Sequence, residues 1–138
     1  MSTTTDQSTT RQKIIHYFEH AGLDYYYWDK AFNMHFGYYR WGMNPFNRPA
    51  LLRQLNREVM ECLALEQYLE PIVLDLGCGL GAASRFMAKQ NPEAIFLGFT
   101  ITPWQVEFGN QLTKEENLDH QVTLSESDFV QLPLGNDS

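Results

Sequence analysis

The stretch that most constrains the fold of this chain is Ile72-Val73-Leu74-Asp75-Leu76-Gly77-Cys78-Gly79-Leu80-Gly81. An apolar run broken only by Asp75 fits a buried strand. The glycines that follow at alternate positions let the backbone turn tightly and approach a ligand closely, and Ala82 opens a helix. Strand, glycine turn and helix in that order make a small-molecule binding device.

Beyond Glu70-Pro71 the pattern alternates strand and helix. Strand one is Ile72 to Leu76, and a helix from Ala82 to about Gln90 follows, with Ala83, Phe86 and Met87 inward, until Asn91-Pro92 ends it. Strand two is Ala94 to Thr100, a second helix runs from Pro103 to about Glu116, and Val122 to Glu126 is strand three. This alternation predicts an α/β fold with a doubly wound, Rossmann-like parallel sheet whose ligand site lies at the carboxyl ends of the strands. Leu132 to Ser138 reads as a loop leading to a fourth strand that does not follow, so the sheet is expected to be incomplete, with one edge of strand one unpaired.

Upstream, residues 1–10 are polar and predict a disordered tail. Residues 11–66 predict a helical, aromatic-rich cap, and residues 67–138 the ligand-binding half-domain. In the cap, Ile14, Tyr17, Phe18 and Ala21 recur at helical spacing before Gly22. Pro49 opens a second helix whose apolar face is Leu52, Leu55, Val59, Cys62 and Leu63. Between them, Leu23 to Asn47 packs aromatics at irregular spacing, either a lid on the core or a wall of the ligand site.

The chain has 138 residues, one domain's worth, with a formal charge of -7 and only 10 Lys and Arg, which argues against nucleic acid as a partner. Cys62 and Cys78 match no metal or disulfide spacing. His16 and His20 lie one helical turn apart but lack a third ligand, so no metal is expected. With neither a leader pattern nor a long apolar run, no membrane span is expected, and the cytoplasm is the expected compartment.

Gly77, Gly79 and Ala82 satisfy a loose dinucleotide pattern, but a nicotinamide site also wants an acid at the end of strand two, where the chain has Gly98-Phe99-Thr100. A tight turn with no ligand is the bland alternative. Val73 to Gly81, by contrast, resembles the first motif of the class I S-adenosylmethionine-dependent methyltransferases nearly residue for residue. Gly98-Phe99-Thr100-Ile101-Thr102-Pro103-Trp104-Gln105 is similar to the second-strand signature of one branch, the tocopherol and sarcosine-type methyltransferases and cyclopropane fatty acid synthases. Ser127-Asp128-Phe129 with Leu132-Pro133 is similar to the family's third-strand exit, and His35-Phe36-Gly37-Tyr38-Tyr39 resembles the branch's aromatic entry segment. The resemblance covers about Tyr25 to Asn136, the N-terminal part of such an enzyme.

The resemblance implies S-adenosyl-L-methionine as cofactor, held by Asp75, Gly77, Gly79, Gly81, Thr100, Ile101, Gln105, Asp128 and Phe129. For Gln105 a second role stays open, because Thr102 to Gln105 is also a capping box. It further implies methyl transfer to a carbon or nitrogen of a small-molecule acceptor. His35 and Tyr39 are the upstream choices for a general base, with an aromatic lid as the competing role for each. The alternative function is a catalytically silent half-domain that binds the cofactor or pairs with a second copy, or with a missing C-terminal half, through the open edge.

Overall fold

The computed structural model describes residues 4–22 and 24–132. The expected loop from Pro133 to Ser138, including the proline of the Leu132-Pro133 motif, and the first residues of the expected tail lie outside the described residues. The elements are α1 (Thr4–Ala21), α2 (Asp24–Trp28), α3 (Arg48–Leu63), β1 (Ile72–Leu76), α4 (Ala82–Ala88), β2 (Ile95–Thr100), α5 (Pro103–Glu115) and β3 (Val122–Glu126). Short 3-10 turns at Leu65–Gln67 and Phe129–Gln131 follow α3 and β3.

The strands form one parallel sheet in the order β1-β2-β3, with Ile72 opposite Ile95 and Phe96 opposite Val122. Alternate strand positions point to opposite faces. Val73, Phe96, Val122 and Leu124 therefore share one face, where Met87 and Ala88 of α4, Leu118 and Leu65 complete the core. On the other face Ile72, Leu74 and Leu76 are 67%, 37% and 50% exposed. Among the described residues β1 pairs with β2 alone, which makes it an edge, as the sequence pattern predicts.

Helix α5 lies tight on the sheet because glycines permit it. A Cβ at Gly98 or at Gly109 would come within 2.4 Å of the Leu124 side chain. Asn110 then ties the helix to β3, donating to the Leu124 carbonyl at 2.8 Å and accepting from its N–H at 2.9 Å.

Three sequence expectations need correction. The N-terminal tail is not disordered from residue 4 onward: α1 begins at Thr4, ahead of the expected start at Arg11, because extending an existing helix gains a hydrogen bond for each residue fixed. Helix α3 begins where expected, with the Asn47 side chain accepting from the Ala50 N–H at 3.2 Å. Its buried residues are Leu52, Gln54 and Asn56, whereas Val59 and Cys62 of the expected apolar face are exposed. Helix α4 ends at Ala88 and buries Ser84 and Arg85 with Met87, leaving Ala83 and Phe86 partly covered. Arg85 is tolerated there because Glu116 meets its Nε at 3.1 Å and the Leu80 carbonyl accepts from Nη1.

Candidate functional site

The glycine loop between β1 and α4 is fastened to β2, since the N–H groups of Gly77 and Cys78 both donate to the Phe99 carbonyl, at 2.8 and 3.1 Å. All of its glycines have positive φ. Their surroundings differ. A Cβ at Gly77 would meet nothing within 4 Å, and one at Gly79 would meet only the Met34 sulfur, at 3.0 Å. One at Gly81 would press on Leu124, so Gly81 turns the chain into α4 as its cap and faces inward.

The open side of the loop borders a cavity of about 1040 Å³, at the upper end of the range for small-molecule sites. Of the residues singled out in the sequence, Asp75, Gly77, Gly79, Thr100, Ile101, Gln105, Asp128 and Phe129 line it together, as does His35. Gly81 does not reach it, and Tyr39 stands outside it, about half exposed.

Several polar wall residues are held by neighbours. Ser84 Oγ donates to Asp75 Oδ2 at 2.6 Å. Burial pushes the Asp75 carboxyl above its ordinary range while the serine bond pulls it back down. The adjacent Cys78 thiol is pushed up to about 12 by burial and then by the Asp75 charge, which keeps it protonated and unreactive.

Thr100 Oγ1 donates to Gln105 Oε1 at 2.8 Å and accepts from the Thr102 N–H at 3.3 Å. Of the two roles open for Gln105 in the sequence, the capping box does not form: Thr102 makes no side-chain cap bond, and Gln105 Oε1 accepts from Thr100. Asp128 Oδ1 accepts from the Val130 N–H at 3.0 Å, fixing the short turn that carries Phe129. Thr102 Oγ1, on the cavity wall, is buried with no hydrogen-bond partner among the described residues.

His35 does not present a vacant nitrogen to the cavity. Nδ1 lies 2.8 Å from the Phe36 carbonyl, and Nε2 lies 2.9 Å from Asn56 Oδ1 and 3.2 Å from Asn33 Oδ1. With oxygens at both nitrogens, the ring donates at least one hydrogen bond to the protein.

Sequence reasoning missed the opposite wall, where Arg11, Ile14 and Phe18 of α1 reach the cavity. Arg11 bridges the rim at 3.4 Å from Glu126, with both side chains about half exposed. The apolar spacing of Ile14 and Phe18 was visible, but nothing local says which surface a lone amphipathic helix covers. Tyr25, Phe32 and Met34 add the remaining apolar wall. Among the described residues no group of metal-ligating side chains occurs and no helix is long and apolar enough to cross a membrane.

Residues 73–138 match a family model described as a methyltransferase domain. That part of the chain belongs to the methyltransferase-domain family. It is the family that the motif from Val73 to Gly81 resembles, and the match spans the glycine loop, Thr100 to Gln105 and Asp128. The tocopherol O-methyltransferase of Arabidopsis thaliana is 36% identical over 63 residues, 45% of this chain and 18% of that protein. The sterol 24-C-methyltransferase of Yarrowia lipolytica is 28% identical over 126 residues, 87% of this chain and 32% of that protein. The chain thus spans about a third or less of the length of the curated relatives it matches. A solved geranyl diphosphate methyltransferase superposes with a TM-score of 0.72 at 18% identity, covering 90% of this chain and 51% of that one. The shared fold is the Rossmann-like methyltransferase fold, with this methyltransferase domain supplying its first strands and the helices that cover one face.

Proposed function

We propose that the cavity binds S-adenosylmethionine and that the chain is the cofactor-binding part of an enzyme that methylates a small-molecule acceptor at carbon or nitrogen. The observation that carries this reading is the Gly77 backbone. It stands at positive φ with open space where a side chain would be, on the same cavity wall as Asp75. The residues present fit the group: the glycines admit a close ligand, Asp75 is an acceptor for an ammonium, and the unpartnered Thr102 hydroxyl and the Gln105 amide offer further polar contacts. A solved geranyl diphosphate methyltransferase of this fold holds SAM, which supports the same assignment.

When bound, the cofactor supplies the electrophilic methyl group on its sulfonium. The chain's share of the work is to bind and orient it and to exclude water. Asp75 and the open backbone at Gly77 and Gly79 hold one end, and α1 with Phe32 and Met34 screens it from solvent. His35 has both nitrogens against protein oxygens and Tyr39 stands outside the cavity, so neither is assigned as a general base for the acceptor.

Calorimetry with S-adenosylhomocysteine tests the site. In Gly77→Ala the added methyl meets no protein atom, so the fold is retained at the cost of backbone strain while ligand space is filled. The expected result is an affinity at least about tenfold weaker, equivalent to about 1.4 kcal/mol. Equal affinity for the parent chain and the variant would overturn the assignment.

A further inference from the structure

The cations of this chain are unevenly placed. In a protein of formal charge -7, Lys30, Arg40, Arg48, Arg53 and Arg57 all fall within residues 30–57, a segment that contains no Asp or Glu. The same segment carries aromatics that do not line the cavity. Residues 38–47 form a loop pinned to α3 at both ends, since the Tyr38 N–H donates to the Leu51 carbonyl at 2.9 Å and Asn47 caps the helix. Two successive turns build it, closed by the Met43 N–H on the Arg40 carbonyl and the Asn47 N–H on the Asn44 carbonyl, each at 3.1 Å. Each turn has an aromatic at a central position, Trp41 in one and Phe46 in the other, and these are 96% and 93% exposed.

Neither ring shapes the loop, whose turns and cap are held by backbone groups and by Asn44 and Asn47. At its foot Arg48 lies over the Trp28 ring, 4.2 Å from the centroid, and Trp28 meets Phe36 edge to face at 6.3 Å. Phe36 is itself 81% exposed. Aromatic rings standing in water with a cation at their base are an interaction surface.

We propose that Trp41 and Phe46, with Phe36 and Arg48 at the foot of the loop, dock the protein on the surface of an anionic lipid bilayer. Aromatic rings settle at the headgroup level of a membrane, and arginine there meets lipid phosphates. Because the N–H groups that close both turns are already bonded, the rings can enter without stranding those backbone donors in an apolar medium. Charge favours the same partner. The acids that flank the segment are occupied: Asp29 is buried against Asn33, and Glu58 and Glu61 are bound to Arg40. Lys30, Arg48, Arg53 and Arg57 form no ion pair among the described residues. The remaining acids weaken this attraction little, since charges beyond about 8 Å are screened at physiological salt. A second copy is the poorer partner, because a two-fold contact sets the patch against itself, cations included. Surface docking of this kind needs no membrane span, and it stands independently of which ligand the cavity binds.

Co-sedimentation of the full chain with phosphatidylcholine vesicles, with and without phosphatidylglycerol, tests the surface. Binding is expected with the anionic lipid, weaker on phosphatidylcholine alone, and falling as salt is raised. The double variant Trp41→Ser with Phe46→Ser alters two side chains that the fold leaves in water, so its unfolding midpoint should match that of the parent. Its partition onto the anionic vesicles should fall at least about tenfold. Ile72→Lys, which charges the exposed side of β1, should bind the vesicles as the parent does. Absence of parent binding, or a folded double variant that binds undiminished, would overturn the proposal. So would an equal loss in Ile72→Lys, which would move the contact to the sheet.

Discussion

At the residue scale, Asp75 serves the ligand at the expense of the ligand-free fold. Its carboxyl is pushed up chiefly by burial, so ionising it costs the folded state more than the unfolded one. A raised folded value means that the associated stability is present at low pH and is lost as pH rises through that value. Asp75→Asn removes the penalty and keeps an oxygen for Ser84 Oγ to donate to, so the ligand-free chain should gain about 1 kcal/mol in a denaturation experiment at neutral pH. The same change removes the negative charge offered to an ammonium and should weaken S-adenosylhomocysteine binding. A variant that is both no more stable and no weaker in binding would remove Asp75 from the site. Ser84→Ala acts in the opposite sense, since losing its bond lets burial raise the carboxyl further. Binding should then require a higher pH, which calorimetry across mildly acidic pH would register as a displaced affinity curve.

At the element scale, the strands and the glycine loop were legible because their signals are local. β1 and β3 have the bounds their apolar runs predict, and β2 and α5 differ from expectation by one residue at one end. What was not legible depends on long-range contact. Asn56 lies one turn from Leu52 on the apolar side of α3, where an apolar reading would not place a polar residue, because its burial is justified by Asn33 and His35 far away in sequence. Arg85 is buried against Glu116 for the same kind of reason. Gln105 shows the limit from the other side: its capping spacing is real, yet Thr100 binds its amide first. The fit of α5 to the sheet is equally a matter of tertiary contact. Gly109→Ala would drive a methyl into Leu124 and against the Leu80 carbonyl at 3.0 Å, and should cost about 1–3 kcal/mol in a urea titration. A loss well below that would mean that α5 can ride away from the sheet at little cost.

At the scale of the whole molecule, all the described helices that pack on the sheet lie on one side, and the other side is apolar at its edge. Ile72, Leu74 and Leu76 repeat at the strand period on β1, opposite Ile95, Leu97 and Phe99 of β2, and Tyr68 and Leu69 leading into the strand are exposed as well. An edge strand with an uncovered apolar face is a template for pairing with another chain. This chain taken by itself should therefore associate with increasing concentration, which light scattering coupled to size exclusion measures directly. Ile72→Lys places a charge on that face at a position 67% exposed, where the cost to the fold should stay within about 0.5 kcal/mol. The variant should elute as a monomer with an unchanged unfolding midpoint. A parent chain that is monomeric at every concentration, or a variant that associates as strongly as the parent, would show that the β1 face does not drive association.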